Sequence, residues 1–102
     1  MGAQGTTVLD FGAFPGGTHA TVVVIGQSGI LSGSLAQAEI RPVATGDHSL
    51  DEHMAAPIKV WAAEIVPSVG FTIHGLVMWP LADANGKAIR MSGQFNVFWV
   101  WN

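Results

Sequence analysis

Val69-Gly70-Phe71-Thr72-Ile73-His74-Gly75-Leu76 alternates at period two: Phe71 and Ile73 project to one side, Thr72 and His74 to the other. Such alternation marks a strand with one face in a core and one toward water. Leu35–Arg41 repeats the pattern, with Ala36, Ala38 and Ile40 opposing Leu35, Gln37, Glu39 and Arg41. Working outward from these two, further strands are expected at Thr6–Phe11, His19–Ile25, Ile58–Val66, Ala88–Met91 and Gln94–Trp101. Turn formers separate them: Pro15-Gly16-Gly17, Gly26-Gln27-Ser28-Gly29 and Asp83-Ala84-Asn85-Gly86-Lys87. Asn85-Gly86 has the chemistry of a tight hairpin turn, which needs positive φ at its central residues. Short strands joined this way imply an all-β chain, a small antiparallel β-sandwich or jelly-roll-like barrel forming a single domain over residues 1–102.

One segment departs from period two. In Ser49-Leu50-Asp51-Glu52 the serine hydroxyl can accept from the amide of residue 52 while the glutamate reaches back to the amide of residue 49. The two acids suit the positive end of a helix dipole, and Pro57 halts the turn. One short helix is therefore expected near residues 49–56.

Composition narrows the function classes. The chain has 102 residues, 49% of them apolar, and only 11% charged against about 25% in an average soluble protein. With no cysteine, disulfides, zinc-thiolate sites and cysteine nucleophiles are excluded. A net charge of −3 with only four fixed cations argues against a nucleic-acid groove, which needs clustered positive charge. From Phe11 to Ala38 there is no Asp, Glu, Lys or Arg, but Pro15, several glycines, His19 and two glutamines interrupt that span, so no membrane-crossing helix is expected. Neither is a signal segment, since no basic residue precedes an apolar run at the N-terminus.

The densest polar stretch is Asp47-His48-Ser49-Leu50-Asp51-Glu52-His53. Its histidines are five apart, off one helix face, and no HExxH is present, so neither a metal nor another cofactor is assigned to it. Asp47, His48, Asp51 and His53 are instead candidates for a polar site shared across a symmetry axis. Gly26-Gln27-Ser28-Gly29 lacks the Gly-x-Ser-x-Gly spacing of a nucleophile elbow, and His74 reads as a surface or interface residue rather than a catalytic base. No catalytic residues are assigned, and the chain is not expected to be an enzyme.

Two strands look apolar on both sides. Val22 to Ile25 leave no polar face, and in the last strand Phe95, Val97, Trp99 and Trp101 share one side while Phe98 and Val100 occupy the other. A short chain has few elements with which to cover a second face, and subunit interfaces are poor in charge and rich in aromatic residues. Phe95, Phe98, Trp99, Val100, Trp101, Val22 and Val24 are therefore the expected interface of a homo-trimer or other homo-oligomer. Trp99 and Trp101 are also weighed as a platform for stacking sugar rings.

Finally, Ala44-Thr45-Gly46-Asp47-His48-Ser49-Leu50-Asp51-Glu52-His53, Pro57-Ile58-Lys59-Val60, Val69-Gly70-Phe71-Thr72-Ile73 and the Trp-rich Gly93–Trp101 strand, after an opening strand Val8-Leu9-Asp10-Phe11-Gly12, resemble small all-β virion structural proteins of tailed bacteriophages. The resemblance spans nearly the whole chain and supplies no catalytic residues. It implies a virion subunit assembled in the bacterial host cytoplasm, first of all a capsid decoration (cement) protein that bridges major capsid protein subunits. A tail, baseplate or fibre component contacting the host surface is the alternative. Neither nucleic acid nor a membrane is an expected partner.

Overall fold

The computed structural model describes residues 2–13, 16–55, 58–77 and 91–102. Among these residues six strands and one helix follow in the order β1 (Ala3–Asp10), β2 (His19–Val24), β3 (Ala36–Ile40), α1 (Leu50–Ala55), β4 (Ile58–Val66), β5 (Gly70–Val77) and β6 (Gln94–Trp101). They form two three-stranded antiparallel sheets, β1-β6-β3 and β2-β5-β4. The sheets pack face to face as a small all-β sandwich, with β3 lying against β4 and β1 against β2 at its two edges. The expected strand at Ala88–Met91 and the Asn85-Gly86 turn lie outside the described residues, apart from Met91, which makes an isolated antiparallel bridge to Gly17.

Alternation assigns the inner faces. From one sheet Leu9, Ala38, Phe95, Val97, Trp99 and Trp101 point inward; from the other Ala20, Val24, Phe71, Ile73 and Val77 meet them. Phe11 packs edge-on against Phe95 at 5.9 Å, and Phe71 against Trp99 at 5.5 Å. The Trp101 indole N–H, which needs an acceptor when buried, donates to Gln27 Oε1 at 2.9 Å.

The inner faces of the two apolar strands are thus covered within the chain, and the expected interface is corrected for the residues on them. Phe95, Trp99, Trp101 and Val24 are buried in the core, and Val22 packs against it. Each sheet serves as the other's second layer, so no partner is needed to cover these side chains. Of the seven residues expected to meet a partner, only Phe98 and Val100 lie on an outer face. There they sit in a polar frame, Phe98 between Thr6 and Glu39 and Val100 between Gln4 and Gln37. Burial of Trp99 and Trp101 also removes the rings considered for sugar stacking.

Candidate functional site

Strand β3 pairs with residues 97–101 of β6 and then leaves at Pro42. The Arg41 amide still donates to Asn96 O, but Arg41 O turns to the amide of Val43, so the ladder along the start of β6 has lost its partner strand. Side chains from the following segment replace it. Asn96 N donates to His53 Nε2 at 3.0 Å, Gln94 N donates to Asp47 Oδ2 at 2.8 Å, and the Thr45 hydroxyl donates to Gln94 O at 2.9 Å. Gly93 permits this approach: at φ +78° it takes a left-handed backbone, and a Cβ there would lie 2.8 Å from Asp47 Cβ.

The helix brings its histidines to the same corner. Its capping box forms as the spacing suggests, with Glu52 N donating to Ser49 Oγ at 3.2 Å and Ser49 N to Glu52 Oε1 at 2.8 Å. His53, only 2% exposed, donates from Nδ1 to Ser49 O, which leaves Nε2 as the acceptor for Asn96. His48 has the opposite hydrogen bonding. Both of its nitrogens face acceptors, Nε2 toward Ser92 O and Nδ1 toward Glu52 Oε2 at 3.2 Å, an arrangement that the imidazolium satisfies fully. Burial of the ring works against that charge, but the Ser92 carbonyl and the Glu52 carboxylate, aided by Asp47, outweigh it and hold the pKa above the ordinary histidine value. Glu52 is held below its ordinary value by the Ser49 amide and then by His48. The two imidazoles also close over Phe95, His48 lying nearly parallel to it at 4.0 Å and His53 at 5.1 Å.

Three of the four residues expected to form a shared polar site therefore serve this chain's own β6: Asp47, His48 and His53. Asp51 stands exposed on the first helical turn. Chemically the corner is a clasp that finishes a truncated ladder and seals Phe95.

A second polar constellation lies on the outer face of β2-β5-β4. His74 sits opposite Trp61 on β4 and Thr21 on β2, with His19 diagonal to it. His74 Nε2 is 3.1 Å from Glu64 Oε1, and His74 Nδ1 is 3.2 Å from His19 Nε2. Trp61 lies parallel to His74 at 5.2 Å and carries Lys59 Nζ 5.8 Å from its ring centre. Reading His74 as a surface or interface residue gave no hint of these partners. A signal was present in Glu64, whose place in the β4 alternation matches the inward Val60 and Ala62. An acid at a core position of a strand implies a break in register. That break is a bulge between Ala63 and Val66, where Glu64 adopts φ +56° and turns outward.

The third feature is apolar. Val23, Ile25, Leu31, Leu35, Val66 and Val69 are all exposed, Leu35 by 74%. All but Val23 lie on the β2–β3 loop, the last residue of β4 and the β4–β5 turn; the loop and the turn are bonded together by Gln27 N to Val69 O (2.9 Å) and Ser68 N to Ile30 O (2.8 Å). Neither 25–35 nor 65–69 contains an Asp, Glu, Lys or Arg.

Among the described residues no group of three or more His, Asp or Glu converges on a metal position, and no helix is long and apolar enough to cross a membrane. No protein-family model, curated protein or solved structure matches the chain.

Proposed function

We propose that this chain is a structural subunit of a tailed-bacteriophage virion, a capsid decoration protein that associates with copies of itself and with the major capsid protein. The observation that carries the reading is the uncharged apolar end of the sandwich, built from the β2–β3 loop and the β4–β5 turn. Patches of clustered, exposed aliphatic side chains are uncommon on free monomers and are typical of surfaces that meet another protein. The absence of charged side chains in both segments suits the core of such an interface, where charge is depleted. The surface offered to a neighbour is thus this end, rather than the aromatic face of β6. Resemblance to small phage virion proteins supplies the setting, and many weak contacts repeated over a lattice supply the affinity. The glycan-contacting tail component is less well supported, because Trp99 and Trp101 are inside the core.

Light scattering over a hundredfold range of concentration tests this. The wild-type chain is expected to form a discrete oligomer, and Leu31→Asp, which places a charge on a 65%-exposed site, to shift it to monomer without lowering its melting temperature. A monomer at every concentration for both proteins would remove self-association from the reading.

A further inference from the structure

The clasp and the apolar end leave the line Glu64–His74–His19 without a role. Its chemistry is nonetheless directional. A carboxylate only accepts, so Glu64 fixes the His74 proton on Nε2 and leaves Nδ1 with a bare lone pair aimed at His19. The His19 and His74 ring planes differ by 9°, and their centres are 5.4 Å apart. That separation exceeds the 3.2 Å between the nitrogens by about one ring's width, so the rings meet edge to edge and not face to face. Two nitrogens are therefore turned toward one another with nothing between them but a proton.

We propose that His74 Nδ1 and His19 Nε2 form a binding site for an imidazole-preferring divalent transition ion, with Glu64 as the outer partner that orients His74. Nitrogen–metal bonds of about 2.0–2.1 Å at tetrahedral or square angles place two ligand nitrogens about 2.8–3.4 Å apart, a range that includes the 3.2 Å observed. To bind, His19 tilts and its proton moves from Nε2 to Nδ1, on the solvent side. His19 is free to do so, being exposed and the first residue of β2. His74 is not, since Glu64 holds it from behind and Trp61 flanks it. A carboxylate behind a metal-binding imidazole is the usual outer partner of such sites. Glu64 faces the opposite edge of the His74 ring and is not a third ligand, so solvent fills the remaining positions. The backbone geometry points the same way. Left-handed φ is uncommon for a residue other than glycine, and here it turns an inward-facing carboxylate out to His74. Of the common ions, copper is favoured over nickel and zinc by the general affinity order.

Calorimetric titration of the untagged full chain with NiCl2 and with ZnCl2 tests the site. One ion per chain is expected, weakened at least tenfold by His19→Ala, whose own melting temperature stays that of the wild type. Glu64→Gln keeps an acceptor but loses the charge, and is expected to weaken binding by about tenfold to a hundredfold. His48→Gln, at the clasp, is expected to bind as the wild type does. Absence of binding to the wild type, or an equal affinity in His19→Ala, overturns the proposal.

Discussion

Gly5 and Trp99 face each other across β1 and β6, and the pair shows how one missing side chain sets the packing around it. Among the described residues β1 is an edge strand, bonded only to β6, and a glycine there leaves room for an aromatic neighbour to lie across the backbone. The Trp99 indole takes that room: a Cβ added at Gly5 would lie 2.5 Å from its Cζ2 and 2.9 Å from its Cε2. The same indole meets Phe71 of the other sheet edge-on, so displacing it disturbs the contact between layers. Gly5→Ala is therefore expected to lower stability by about 1–3 kcal/mol, the usual cost of forcing extra volume into a packed core. Urea unfolding at equilibrium measures this. An unchanged midpoint would mean that the indole has another resting place of equal energy.

At the scale of elements, the clasp of residues 44–55 on β6 sets a pH dependence whose sign follows from its two shifted groups. His48 is raised above 6.5 in the fold, so its contribution is complete below that pH and is lost as pH rises through the raised value. Glu52 is lowered from 4.5, so its contribution is present above that pH and is lost as pH falls through the lowered value. Together they reinforce the clasp most between about 4.5 and 6.5. Melting temperatures measured from pH 6 to pH 8.5 should accordingly fall further in the wild type than in His48→Gln, which lacks the titrating ring. Parallel curves would show that the His48–Glu52 contact adds nothing to stability. Much of this element was legible in the sequence. Ser49 and Glu52 stand at the capping spacing, and that local rule held because it involves only neighbours in the chain. The destination of His53 was not legible, because it depends on where β3 stops: only a ladder cut short at Pro42 leaves Asn96 N in need of an imidazole. The His19–His74 pair was hidden for a related reason. It depends on strand register, which alternation within each strand does not specify.

Across the whole molecule, the same alternation that predicted the strands misdirected the search for an interface. Phe95, Trp99 and Trp101 were expected at an interface because β6 is apolar on both sides, but the opposite sheet covers their face, and only Phe98 and Val100 of that strand's expected interface stay outside. Ile25, Leu31, Leu35, Val66 and Val69 stay exposed together at one end, while Asp10, Asp47, Asp51 and Glu52 gather toward the other, around the start of β6 and the helix. A surface joined through the apolar end should therefore behave as a hydrophobic contact rather than an electrostatic one. Attraction between exposed charges is screened beyond about 10 Å at 0.1 M salt and beyond about 3 Å at 1 M, so an interface built on ion pairs weakens steeply as salt is added. One built on Ile25, Leu31, Leu35, Val66 and Val69 has no such charges to screen, and excluded salts such as sulfate strengthen burial of this kind. The oligomer's dissociation constant, measured by sedimentation, is expected to stay within about twofold from 0.05 to 0.5 M sodium chloride and to fall in sodium sulfate. A rise of tenfold or more in sodium chloride would place the contact on the acidic end of the sandwich and remove the apolar end from it.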